Sequence, residues 1–132
     1  TKEFFQTVHA KLNDQGMFIM NVIGSLDPNP PSVIMSEVRT LKEVFPHVYL
    51  FAVDSPHTND VQNLALVAHK SDREVTFNKA ALANSGNEII RGLPSARVNL
   101  DSYNLQKYPV LTDNYSPIDS WTATLLRSHD ED

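Results

Sequence analysis

The chain has 132 residues, of which 41% are hydrophobic and 20% charged, with a formal net charge of -5. This length and composition suit one soluble domain, and no predicted element carries the basic face that nucleic-acid binding or a membrane-surface helix requires. The absence of cysteine excludes disulfides, thiolate metal sites and cysteine nucleophiles.

The first predicted elements are a helix and a buried strand. Apolar residues recur at helical spacing over residues 2–13: Phe4, Phe5, Val8 and Leu12. We expect Gly16 to close this helix in a left-handed conformation. The run 17–23 is apolar without alternation, which predicts a strand buried on both faces of a parallel sheet. Because Thr1 lies directly against the helical pattern, we expect the chain to be a piece of a longer protein.

The next elements complete the predicted sheet. Residues 24–31 form a loop at the carboxyl end of the first strand, the edge where open α/β sheets bind ligands. A second helix is predicted over 31–45, with Pro30 or Pro31 in its first turn, and strands over 47–53 and 61–68. The link between these two strands is too short for a helical crossover, so we expect them to be antiparallel.

The remaining sequence gives weaker signals. A short helix is predicted over 77–83 and a further turn over 89–93, whereas 94–120 is rich in Pro, Asn, Asp and Ser and predicts an extended segment. We therefore divide the chain into a sheet-forming part (1–93), a closing segment (94–127) and an acidic tail (128–132). The fold class is α/β: a partial Rossmann-like sheet with a terminal antiparallel strand pair.

Two stretches resemble the spermidine and spermine synthase family. The first is TKEFF at residues 1–5, followed by LNDQGMF at 12–18. The second is LTDNYSPID at 111–119, which is similar to the closing motif of bacterial spermidine-synthase-like proteins. The resemblance covers about residues 1–70 and 109–121, and it implies a class I methyltransferase-type fold.

The resemblance implies transfer of an aminopropyl group from decarboxylated S-adenosylmethionine to a polyamine amine. In the family, the glycine-rich turn and the catalytic Asp pair precede the helix at which this chain begins, and no G-x-G occurs here. We therefore expect no catalytic residue in this chain, no co-substrate bound by it alone, and a transferase activity that belongs to the parent. Two alternatives stay open: a methyltransferase using S-adenosylmethionine on the same fold, or a non-catalytic dimerisation or scaffold domain.

Several polar residues are candidates for the substrate site. By the resemblance, a cluster in the closing motif is predicted to line an acceptor pocket: Asp113, Asn114, Tyr115 and Asp119. His57 stands where the family has a pocket tyrosine, in the link 54–60. Asn21 interrupts an apolar strand, and we predict a buried amide that either faces the donor nucleoside or bonds a neighbouring loop. Asn63 interrupts the third strand in the same way. For the closing cluster, a structural Asx-type turn is the alternative.

No metal site is predicted, because the five histidines lack helical zinc spacing. No membrane span or signal peptide is recognisable, so we expect a cytoplasmic protein whose partner is a small-molecule amine. If the strands that would precede the first predicted strand belong to the rest of a longer protein, that strand exposes an apolar edge. We therefore also expect self-association or a homodimer.

Overall fold

The computed structural model of the protein describes residues 1–73 and 94–117. The chain first forms helix α1 (Lys2–Lys11), strand β1 (Met17–Gly24) and helix α2 (Val33–Lys42). Strands β2 (His47–Ala52) and β3 (Gln62–His69) follow, and later two 3-10 helices, Leu100–Ser102 and Leu105–Lys107. All five main elements were predicted, with ends that differ by a few residues.

Both helices begin at side-chain caps. Thr1 Oγ1 accepts a hydrogen bond from Phe4 N at 3.3 Å, and Ser32 Oγ accepts one from Met35 N at 3.2 Å. Such caps satisfy amides that have no partner inside the helix. The prediction of a proline in the first turn of α2 was wrong, because the cap at Ser32 starts the helix beyond both prolines.

The sheet has the strand order β1-β3-β2. β3 lies in the middle and pairs antiparallel with both neighbours. His69 of β3 lies opposite Met17 of β1 on one side and opposite His47 of β2 on the other. The predicted antiparallel pair β2–β3 is thus confirmed. β1 and β2 point in the same direction, but they do not pair with each other. The predicted parallel pairing of β1 was therefore wrong for the described residues.

The prediction that β1 is buried on both faces was also wrong. Its exposure alternates along the strand, because only one face lies against the core. Phe18, Met20 and Val22 pack towards the helices, whereas Ile19 and Ile23 remain 64% and 60% exposed. The apolar run alone could not distinguish these two faces, since both carry hydrophobic side chains.

The core lies between the inner face of the sheet and the two helices. Its fully buried side chains come from every main element except β1, and include Phe5, Ile34, Met35, Val38, Leu41, Leu50, Leu64 and Leu66. The predicted left-handed Gly16 was wrong, since no glycine among the described residues has a positive φ. A side chain at Gly16 would instead meet Asn13 O and Leu12 Cβ, each at 2.9 Å, so close approach is what favours glycine there.

Residues 94–117 pack against the sheet and α2. Val98 N donates to Leu50 O at 2.8 Å, and three side chains of the segment are buried: Val98, Tyr108 and Leu111. The Arg39 guanidinium on α2 donates to the carbonyls of Gln106 and Tyr108. The segment thereby completes the core on the side of α2. The elements predicted over 77–83 and 89–93, and the acidic tail, lie outside the described residues.

Candidate functional site

Two loops meet at the carboxyl ends of β1 and β2. The first is residues 25–31 and the second is residues 53–61, and we call them the first-strand loop and the hairpin loop. Ser25 Oγ of the first-strand loop donates to Asn59 O of the hairpin loop at 2.6 Å. Since β1 and β2 point the same way, both loops lie at one edge of the sheet, beside the start of β3.

Two tyrosines from the closing segment hold the first-strand loop. Tyr103 Oη donates to Leu26 O at 2.8 Å, and Tyr108 Oη donates to Pro28 O. Burial raises the pKa of both phenols, and the Asp27 carboxylate adds to the rise in each. Both hydroxyls are therefore protonated at neutral pH and act as hydrogen-bond donors to the loop.

Asp27 supplies a carboxylate in the first-strand loop. Its Oδ1 accepts from Asn29 N at 2.9 Å, and Ser25 Oγ accepts from Asp27 N at 3.1 Å. This turn fixes the position of the carboxylate, and the side chain is only partly buried. A partly exposed carboxylate in such a place can bind an ammonium group or accept a proton from it.

The hairpin loop is ordered by Gln62, which is buried at the start of β3. Gln62 Oε1 accepts from the amides of Asp54 and Ser55 at 2.9 and 3.0 Å, and its Nε2 donates to Ser55 O at 2.8 Å. His57, a predicted substrate residue, lies in this loop with an exposed side chain, and its amide donates to Ser55 Oγ. Its imidazole is thus available to a ligand at this edge.

The closing motif lies against the start of α1. Asp113 Oδ1 accepts from Thr1 Oγ1 at 2.8 Å, and Asp113 N donates to Glu3 Oε2 at 3.0 Å. Asn114 and Tyr115 complete a tight turn in which the amides and carbonyls of Thr112 and Tyr115 pair. Tyr115 is 51% exposed. The turn is closed by backbone groups, and the Asp113 carboxylate bonds Thr1 rather than the turn, so the Asx-type turn of the structural alternative is not what holds it. The role of these residues in substrate binding remains a prediction.

Asn21 was predicted to be a buried amide, and this was wrong. It lies on the outer face of β1 opposite Ala65, and it is exposed, as is Asn63. Asn21 therefore lies on a face of β1 that the described residues leave uncovered. Asp119 lies outside those residues.

The predicted substrate residues fall in three separate places. Within residues 1–73 and 94–117, no hydrogen bond joins the outer face of β1, the hairpin loop and the closing motif. Sequence reasoning also missed Asp27 and its two tyrosines. An Asp-Pro pair just after a strand was the available signal for Asp27, whereas the tyrosines lie more than 70 residues away in sequence.

Two clefts lie at the opposite edge of the sheet, near the start of β2. One, of about 640 Å³, is lined by cationic and aromatic side chains that include Lys42, His47, Tyr49 and Arg97. The Arg97 guanidinium lies 5.0 Å from the Tyr49 ring centre, and His47 stacks on the same ring at 6.4 Å. A second, of about 780 Å³, lies beside it between α1 and residues 70–73. We place the candidate site at the carboxyl edge, because its loops are fixed by specific hydrogen bonds.

The described residues show neither a metal site built from His, Cys and acidic side chains nor a membrane-spanning helix. Among residues 1–73 and 94–117, no group of three His, Cys, Asp or Glu side chains is placed to hold a metal ion. In the same ranges, no helix has the length and hydropathy needed to cross a membrane.

Comparison with known proteins gives one structural similarity. No protein-family model and no curated protein matches the chain. Among solved structures, the chain is similar to that of a probable spermidine synthase from Corynebacterium glutamicum ATCC 13032, with a TM-score of 0.49 and 20% sequence identity. The match covers 86% of this chain and 42% of that protein. The chain therefore spans less than half the length of the protein that it matches.

Proposed function

We propose that this chain is the C-terminal part of a spermidine synthase-like aminopropyltransferase. The parent would move an aminopropyl group from decarboxylated S-adenosylmethionine to a polyamine acceptor. The glycine-rich turn and the catalytic carboxylates would belong to the part of the protein that precedes residue 1. This chain would supply the far end of the sheet and one wall of the acceptor pocket.

The observation that carries the proposal is the contact between the two stretches that resemble this family. Residues 1–5 and 111–115 are more than a hundred positions apart in sequence, yet three hydrogen bonds join them. Lys2 N donates to Leu111 O at 2.7 Å, and two further bonds link Asp113 to Thr1 and Glu3. Two separate resemblances that form one local structure support a common origin better than either does alone.

The site at the carboxyl edge supports the chemistry. A polyamine acceptor is cationic, and a partly exposed carboxylate beside protonated phenols suits its ammonium groups. Asp27 is a partly exposed carboxylate on the loop whose carbonyls accept from Tyr103 and Tyr108. In this proposal Asp27 and His57 face the acceptor, whereas Asp113 positions the start of α1.

The test compares this chain with the longest natural form of the protein. Methylthioadenosine and decarboxylated S-adenosylmethionine are titrated into both by calorimetry, and aminopropyl transfer to putrescine is then assayed. We expect binding and transfer by the long form alone. In the long form, Asp27→Asn should raise the KM for putrescine about tenfold, since a lost charge contact of about 1.4 kcal/mol has that effect. Glu43→Gln, an exposed carboxylate in the cleft at the opposite edge of the sheet, is the control and should leave KM unchanged.

Other outcomes would overturn the proposal. Binding of S-adenosylmethionine without its decarboxylated form, and no transfer to putrescine, would favour the methyltransferase alternative. Binding of neither compound by the long form would favour a non-catalytic scaffold. Equal effects of Asp27→Asn and Glu43→Gln on the KM for putrescine would show that Asp27 does not belong to the acceptor site, even if the long form transfers the aminopropyl group.

A further inference from the structure

Three side chains that can bind a metal ion form a row across one end of the sheet. In the register of the strands, Met17 of β1 and His47 of β2 are the two direct partners of His69 on β3. Directly paired residues have their side chains on the same face of a sheet. Because the adjacent Phe18 and Ala68 pack in the core, this row lies on the outer face. We call its three residues the outer row.

The spacing within the outer row suits one shared ion. Opposed residues of antiparallel strands have Cα atoms about 4.5 to 5.5 Å apart. Two ligands of one metal ion lie about 3 to 4 Å apart, because each bond is about 2.0 to 2.3 Å long. Rotation about the Cα–Cβ bonds can bring opposed ligand atoms to that separation. Met17 adapts most easily, because its side chain is unbranched and 41% exposed.

His69 has a buried nitrogen without a partner. Its side chain is only 6% exposed, and its Nδ1 has no hydrogen-bond partner within residues 1–73 and 94–117. A buried polar atom in this state has lost its bonds to water without replacement, which is unfavourable. A metal ion bound at Nδ1 would supply the missing partner.

The second imidazole of the outer row is oriented by a backbone carbonyl. His47 Nε2 lies 2.8 Å from Asp72 O, and since a carbonyl oxygen only accepts, Nε2 carries the hydrogen. In the neutral ring the lone pair is therefore on Nδ1. Histidines that bind metal ions usually donate their other N–H in this way, which holds the ring in place.

We propose that the outer row binds a monovalent copper ion, Cu(I), through Nδ1 of His47, Nδ1 of His69 and the sulfur of Met17. A thioether and imidazoles are ligands that Cu(I) prefers. None of the three ligands carries a negative charge, and the Arg97 guanidinium lies 5.0 Å from the centre of the Tyr49 ring, on which His47 stacks. A positive charge so near disfavours a divalent ion more than a monovalent one.

The outer row is separate from the candidate site. It lies at the amino-terminal ends of β1 and β2, at the opposite edge of the sheet from the first-strand and hairpin loops. Copper binding is therefore independent of the aminopropyltransferase proposal. The three side chains also stand on a face of the sheet, so a further strand paired beside β1 would leave the row intact.

The test is titration of Cu(I) into the full chain without oxygen, in competition with a chromophoric Cu(I) chelator. We expect one ion per chain. Met17→Leu removes the sulfur at nearly constant volume and should weaken binding by at least about tenfold, a loss typical of altered metal sites. Met20→Leu is the matched control, because Met20 lies on the same strand but packs towards the helices. It should bind Cu(I) as the unmodified chain does.

A second pair of variants tests the imidazoles. His47→Gln removes a ring nitrogen from the outer row and should weaken Cu(I) binding by at least about tenfold. His57→Gln, at an exposed histidine of the hairpin loop, is its control and should leave the affinity for Cu(I) unchanged.

NMR identifies the ligands directly, because Cu(I) is diamagnetic. The chain has three methionines, and we expect only the methyl signal of Met17 to shift, together with the ring signals of His47 and His69. Three results would overturn the proposal: no one-to-one binding of Cu(I), equal weakening in Met17→Leu and Met20→Leu, or a shift of the Met20 or Met35 methyl signal in place of that of Met17.

Discussion

Glu37 lies on α2 with a side chain that is only 8% exposed, and its Oε2 has no hydrogen-bond partner. Burial raises the pKa of this carboxyl above its usual value of 4.5. The ionised form is therefore less stable in the folded chain than in the unfolded one.

The pH dependence of stability follows from the direction of this shift. The folded pKa is the higher one, so the contribution of Glu37 is most favourable below pH 4.5 and is lost as pH rises through the folded pKa. Glu37→Gln should remove this loss and raise the free energy of unfolding at neutral pH by about 1 kcal/mol. Urea denaturation from pH 4 to pH 8 measures the difference. Glu43→Gln, exposed beyond the same helix, is the control, and equal profiles for the two variants would contradict the prediction.

At the scale of elements, the turn between α1 and β1 depends on close approach. Gly16 N donates to Asn13 O at 2.8 Å, and an added Cβ would lie 2.9 Å from that same oxygen. The backbone atom cannot move away without loss of the turn. Gly24, at the end of β1, differs, because its added Cβ would meet Leu64 and Ile34 at 3.5 and 3.7 Å, which are ordinary contact distances.

These two glycines form a matched pair for mutation. Gly16→Ala should lower the free energy of unfolding by about 1–2 kcal/mol, because the clash forces the turn to shift. Gly24→Ala should change it by less than about 0.5 kcal/mol, because neither contact nor φ opposes a side chain. Thermal and urea denaturation of both variants test the contrast. Equal destabilisation would show that the tight turn is not the cause.

At the scale of the whole molecule, the closing segment joins α2 and the candidate site. Tyr108 is fully buried, its hydroxyl donates to Pro28 O, and its carbonyl accepts from Arg39. One residue thereby connects the loop at the carboxyl edge to the last turns of α2. The shape of the candidate site thus depends on residues far from it in sequence.

Removal of the Tyr108 hydroxyl tests this connection. Tyr108→Phe leaves the ring in the core but deprives Pro28 O of its donor, and should lower the free energy of unfolding by about 1 kcal/mol. Backbone chemical shifts in residues 25–31 should change with it. Tyr115→Phe, at a ring that is 51% exposed, is the control and should alter neither. Unchanged chemical shifts in the first-strand loop of Tyr108→Phe would show that the closing segment does not shape the candidate site.

The sequence by itself determined the five main helices and strands, because apolar spacing is a local signal. It also determined the antiparallel pair β2–β3, since seven residues cannot hold a helical crossover. Only the tertiary structure decided that β3 lies between β1 and β2, and which face of β1 is open, because an apolar run is equally compatible with one or two covered faces. The same holds for the bonds of Tyr103 and Tyr108 to the first-strand loop that carries Asp27. These contacts depend on the path of the whole chain, which local patterns do not specify.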